Sequence, residues 1–237
     1  MKTESNAPTP TGKKLLRIFN RLYSDYGPQH WWPGDGPFET IIGAILTQNV
    51  SWNNAARAID RLKQEGVLCP AGLREIAIEE LAGLIKSSGY FNVKAKKLKA
   101  FAEHLGKNYG DNLEQMLGQK PDTLRRELLS IYGIGEETAD DIVLYAGGWP
   151  VFVIDAYTRR ILERLGLVCE GKKYAELQAF FHSHLPRDTR LFNEYHALLD
   201  HHAGVICVRR DPRCADCSLL DMCPTGKKHA KQLSSRG

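Results

Sequence analysis

Apolar residues recur three and four positions apart along nearly all of this 237-residue chain, and that period admits packed helices and little else. In "KKLLRIFNRLYSDYG", Leu15, Leu16, Phe19 and Leu22 share one stripe, which stops at Gly27-Pro28. The stretches "PFETIIGAILTQ", "WNNAARAIDRLKQEG", "LREIAIEELAGLIKSSG", "VKAKKLKAFAEHLGKNYG" and "DTLRRELLSIYG" follow, most of them closed by glycine. Then come "EETADDIVLYAGG", "DAYTRRILERLG", "KYAELQAFFHSHL" and "RLFNEYHALLDHHAGVIC". No alternating pattern of useful length appears, and "VFVI" at 151–154 is too short to found a sheet. The expected class is all-α. Only the two polar ends break the pattern: "MKTESNAPTPTGKK" reads as a loose arm, and "PTGKKHAKQLSSRG" as a basic, fraying tail.

Hydrophobic residues at 43% and charged residues at 25% are ordinary for a folded domain, which excludes wholesale disorder. The net charge of +4 suits a polyanionic partner without establishing one. No apolar run is long enough to span a membrane, and the start lacks the apolar core of a secretory signal. The expectation is a cytoplasmic, nucleoid-associated protein, in a compartment where structural disulfides are rare.

Cysteine usage narrows the chemistry. Cys69 and Cys169 stand alone beside apolar residues and read as small core or boundary residues. Cys207, Cys214, Cys217 and Cys223 follow C-x6-C-x2-C-x5-C. A reducing compartment disfavours two disulfides, and zinc ribbons usually present two separated short knuckles where this loop has one. Four thiolates in one compact loop suit the corners of an iron–sulfur cube, so the expected cofactor is a [4Fe–4S] cluster.

In "LLSIYGIGEETADDIVLYA" (128–146) one helix runs into Gly133-Ile134-Gly135 and another leaves from Glu136. Two glycines permit a tight turn and leave N–H groups uncovered, which beside a helix N-terminus can hold a phosphate oxygen; G-x-G alone is as often an ordinary turn. Ile131 and Ile134 would tuck the turn onto the core. Asp155, in "FVIDAYTRRILERLG", opens a later helix, where an aspartate is commonly just an N-cap.

Taken together, the G-x-G hairpin, the lone Asp opening a helix and the C-x6-C-x2-C-x5-C loop resemble the endonuclease III branch of the helix-hairpin-helix DNA glycosylase superfamily, from about Leu15 to Cys223. The resemblance implies two helical lobes flanking a DNA-binding cleft. One is a six-helix barrel over 30–149 containing the hairpin. The other joins an N-terminal arm and helix, 1–29, to residues 150–237 with the cluster loop at 207–223. It also implies a monomer that acts on double-stranded DNA containing damaged bases. Gly133 and Gly135 would grip the backbone, and Asp155 would drive N-glycosidic cleavage of a flipped-out nucleotide. Bifunctional members carry a lysine two residues beyond the second glycine; this chain has Glu137 there, and a carboxylate cannot form an imine. The implied enzyme is therefore monofunctional, without AP lyase activity. Glu137 is either a first-turn acid complementing the helix dipole or a hydrogen-bond acceptor in the base pocket.

"HWWPGDGPFETIIGAILTQNVSW" and "GIGEETAD" are most similar to the 3-methyladenine DNA glycosylase III subgroup. By position, Trp31, Trp32, Pro33 and Trp52 would line the base pocket, where ring faces attract the positive charge of an N-alkylated purine; their plainer reading is core closure. The cysteine loop departs from that subgroup's best-described pocket. Gln48 is either a helix-end polar residue or the side chain that fills the gap left by the flipped base. Tyr90 is either a wedge opposite the lesion or a cover for the barrel. Lys94, Lys96, Lys97 and Lys99 read as a solvated face with phosphates in reach, and Arg209, Arg210 and Arg213 as cations presented to DNA by the cluster loop. The expected activity is release of 3-methyladenine and 7-methylguanine. The alternatives are a uracil, mismatched-thymine or hypoxanthine glycosylase of the same fold, or a non-catalytic iron–sulfur DNA-binding protein.

Overall fold

A computed structural model describes residues 9–234, so most of the N-terminal arm and the last three residues lie outside the described part. Helices connected by loops account for the described chain, with no strand, in agreement with the all-α expectation. The chain divides into two compact units, residues 32–151 and residues 1–31 with 152–237.

The first helix, α1 (Pro10–Tyr26), belongs to the split unit and starts at Thr9, whose side chain caps the Gly12 N–H. The contiguous unit holds α2 (Pro37–Leu46), α3 (Trp52–Gln64), α4 (Pro70–Glu75), α5 (Ile78–Leu84), α6 (Phe91–Tyr109), α7 (Leu113–Leu117), α8 (Pro121–Ser130) and α9 (Glu136–Asp141), which runs on as a π turn over Ile142–Ala146. Every residue of α2 from Glu39 to Leu46 is buried, as expected of a helix packed on all sides; α3, α6, α9 and the π turn surround it. At such a position Ile45→Ala would cost about 2–5 kcal/mol.

Two details depart from the periodicity. "LREIAIEELAGLIKSSG" is not one helix: Ile76 and Ala77 are extended, with ψ 140 and 142, so α4 and α5 lie as separate segments on α6. Leu73 and Leu81 are both fully buried by this break, and Glu79 and Glu80 suit the fresh N-terminus. The short α7 had no periodic signal because it spans barely one turn.

The split unit continues with α10 (Ala156–Arg164), α11 (Tyr174–His184), α12 (Thr189–Val205) and α13 (Pro224–Ser234). Here the expected fraying tail is helical instead, seated on the short turns of the cysteine loop and on α10. The extended segment before α10 is buried without a partner strand, so side chains satisfy its backbone. Phe152 N–H donates to His182 Nε2 at 3.0 Å, the Gln178 amide donates to Phe152 O at 2.9 Å, and Ile154 N–H donates to the Tyr174 hydroxyl at 3.3 Å. Phe152 stacks on Phe181 at 3.6 Å beside Phe192 and Tyr195, and the Tyr195 hydroxyl donates to Leu15 O, tying α1 to α12. Cys69 and Cys169 are exposed rather than in the core; Cys69 Sγ instead caps α4 by accepting from Gly72 N–H.

Candidate functional site

The hairpin in the contiguous unit is built from α8, the turn 131–135 and α9. Ile131 and Ile134 are each 5% exposed and anchor the turn. A buried Asp140 on α9 pairs with Arg125 on α8, through Nε at 2.6 Å and Nη2 at 3.1 Å, and so locks the two helices together. Gly133 has φ 83, and a Cβ there would meet the Lys97 stem at 2.3 Å, so only glycine fits. Gly135 is extended, with φ −94 and ψ −177, and open space lies where its Cβ would stand. A side chain would fit there without strain, so packing does not require glycine at this position. Glu137 is exposed in the first turn of α9.

Gln48, at the end of α2, is engaged with this hairpin. Its Nε2 donates to Gly133 O at 3.1 Å and to Thr138 Oγ1 at 2.8 Å, while its Oε1 accepts from the Lys97 ammonium. Filling a gap in DNA would require these bonds to be released. Tyr90 caps α6 in the left-handed region, φ 46 and ψ 31, and is 74% exposed, a presentation suited to contact and costly for a bulky residue. Lys94, Lys96, Lys97 and Lys99 of α6 do not form a solvated face: of these four only Lys96 is exposed. Lys94 is 2% exposed and donates to Leu46 O at 2.8 Å and Ser88 O at 2.5 Å, so it ties the end of α2 to the turn before Tyr90. Burial, with Lys97 nearby, pushes its ammonium down to about 8. Lys99 donates to the carbonyls of Leu73 and Arg74.

Of the four proposed pocket aromatics and prolines, the structure brings two together. Trp32 meets Trp52 edge-on at 5.4 Å, and a residue that sequence reasoning missed, Tyr145, at 5.3 Å. The Trp32 indole lies against Gly43, where a Cβ would come within 2.8 Å of Nε1. Tyr145 sits on the π turn, a distortion with no sequence signal and one common at functional sites. Trp31 is partly buried in the other unit, and Pro33 is exposed.

Asp155 opens α10 in the split unit. One carboxylate oxygen accepts from Thr158 N–H at 2.6 Å; the other lies 3.9 Å from Nε2 of His196, a buried residue of α12 that the sequence did not single out. Arg209 and Arg210 are exposed at the start of the cysteine loop. All four loop cysteines are free thiols. Gly226 N–H donates to Cys223 Sγ at 3.2 Å, and Arg164 donates to Cys207 Sγ at 3.2 Å. Burial and the neighbouring thiols push Cys217 up to about 11 and hold Cys214 above the ordinary thiol range. Among the described residues no three His, Cys, Asp or Glu side chains converge as around a single ion.

Residues 42–187, spanning the hairpin and Asp155, match the HhH-GPD superfamily of base excision DNA repair proteins. This chain belongs to that superfamily. A Methanocaldococcus jannaschii protein assigned to the DNA repair glycosylases is 43% identical over 88% of this HhH-GPD chain and 95% of its own. A trapped endonuclease III–DNA covalent intermediate superimposes with a TM-score of 0.82 at 23% identity, over 94% of this chain and 100% of that one, which establishes the fold. The 3-methyladenine DNA glycosylase of H. pylori, bound to 1,N6-ethenoadenine, superimposes with a TM-score of 0.71 at 25% identity, over 83% and 98%. The HhH-GPD chain is thus a DNA repair protein of the glycosylase family with DNA as its partner. No described helix is long and apolar enough to cross a membrane.

Proposed function

We propose that this HhH-GPD protein is a monofunctional DNA N-glycosylase that releases alkylated purines, 3-methyladenine and 7-methylguanine, and leaves an abasic site. The observation that carries the reading is the Trp32–Trp52–Tyr145 group, electron-rich rings assembled where a cationic base could stack. An N-alkylated purine already bears the positive charge of a good leaving group, so it departs neutral without a general acid. The sugar is left cationic, and Asp155 stabilises it and takes the proton of the attacking water. Glu137 in place of an amine removes the imine route to strand cleavage. Trp31 and Pro33 would complete the base pocket; Gln48, Tyr90, Gly133, Gly135, Arg209 and Arg210 would contact DNA.

Cys207, Cys214, Cys217 and Cys223 would hold a [4Fe–4S] cluster. Their donor set suits it: as thiolates the four would raise one another's charge cost, which cationic iron would offset, and N–H groups point at two of the sulfurs. When bound, the cluster would cross-link the loop rather than take part in base release.

Base release from duplexes containing methylated purines tests the reading, with Asp155→Asn as control and uracil and hypoxanthine duplexes in parallel. Wild type should release the methylated purines, with strand breaks only after alkali. Asp155→Asn should lose about 10²–10⁴-fold in rate with an unchanged melting temperature, because asparagine caps a helix as well as aspartate. Release of uracil or hypoxanthine alone would replace the substrate, and strand breaks without alkali would refute monofunctionality.

A further inference from the structure

We propose that Lys97 of α6 supplies the positive charge with which the hairpin holds a DNA phosphate. The hairpin has no cation at its own turn. Between Arg126 and Arg159 the sequence contains no lysine or arginine, yet it places Glu136, Glu137, Asp140 and Asp141 directly after the turn. Asp140 and Asp141 are buried, and Arg125 of the hairpin is engaged by Asp140 and lies 3.7 Å from Glu136, so the exposed Glu136 and Glu137 are what a phosphodiester approaching Gly135 meets unless a further cation is brought from elsewhere in the fold.

Lys97 is that cation. Its stem runs against the face of Gly133: a Cβ on that glycine would lie 2.3, 2.5 and 2.7 Å from Lys97 Cγ, Cδ and Cε. Its ammonium is held by Gln48 Oε1, and the Gln48 amide in turn donates to Gly133 O and Thr138 Oγ1. This partner is a neutral carboxamide, and among the described residues no carboxylate stands within ion-pair distance of Lys97. The side chain is partly buried, and burial lowers its pKa, so the fold keeps a desolvated charge at the turn at some cost. A phosphate would offset that cost. The same contact explains why Gly133 must lack a side chain: the space belongs to the lysine.

This inference rests on the hairpin being the part of the protein that meets the DNA backbone. Its test is fluorescence anisotropy of an undamaged duplex titrated with the full chain over a KCl series, with thermal melts as a fold control. Neutralising one phosphate contact should reduce the slope of log affinity against log salt by about 0.9 for Lys97→Met. Lys97→Arg should retain the wild-type slope, and so should Lys107→Met, which removes an exposed charge from the far end of the same helix. A wild-type slope in Lys97→Met, or an equal loss in Lys107→Met, would overturn the proposal while leaving the glycosylase reading intact. Should Lys97→Met melt early, the ¹⁵N-detected titration of the Lys97 ammonium decides: a higher pKa with duplex present supports the contact, and an unchanged one overturns it. A wild-type chain that binds no duplex would sink both this inference and the reading beneath it.

Discussion

Gly133 and Gly135 stand two positions apart and fail differently when substituted. Gly133→Ala must place a methyl group in the Lys97 stem at φ 83, and should destabilise the protein by about 1–2 kcal/mol from the backbone alone, read as a lower urea midpoint. Gly135→Ala has ordinary dihedrals and open space, so its stability should stay within about 0.5 kcal/mol of wild type while its affinity for duplex DNA falls, measured by anisotropy. Equal effects at the two positions would refute this division. The G-x-G spacing was legible in the sequence. The division of labour was not, because Lys97 reaches Gly133 from another helix and no local pattern encodes that approach. His196 escaped notice for the same reason: a lone histidine on α12 gains meaning only from Asp155 beside it.

Elements were legible where their stripes were local and long. The chain broke the rule where packing on α6 outweighed continuity, at Ile76–Ala77, and where the backbone widened into a π turn under Tyr145. The extended segment before α10 shows the opposite case, since "VFVI" is too short to found a sheet and needs none. His182 replaces the missing strand by accepting the Phe152 N–H, which requires a neutral ring nitrogen. Burial, helped by Arg187, pushes His182 down to about 4, below its unfolded value near 6.5. The folded state then binds fewer protons than the unfolded state between those values. The stability His182 contributes is complete above about 6.5 and is lost as pH falls toward about 4. His182→Gln, which can still accept that hydrogen bond, should flatten this part of the stability–pH curve in urea melts; an unaltered slope would show that other groups set it.

At the scale of the molecule, periodicity identified the helical class but said nothing of which helices share a core. That assignment came from the resemblance, because α1 meets α11 and α12 across most of the chain's length. Leu15, Ile18 and Leu22 of α1 are at most 1% exposed, and burying three such side chains is worth about 5–9 kcal/mol, comparable to a whole domain's stability. A chain beginning at Gly27 should therefore lose the cooperative unfolding of the split unit and bind a hydrophobic dye such as ANS; wild-type melting without dye binding would disprove the estimate.

The split itself orders how the protein comes into being. Residues 32–151 are contiguous, so a growing chain has all of the hairpin's unit in hand before the rest is translated. The unit carrying Asp155 is assembled from both sides of that stretch, α1 made before and α10 to α13 made after. On the proposed function, a nascent chain therefore has the hairpin that would meet DNA in hand before the unit bearing the carboxylate that would release the base is complete.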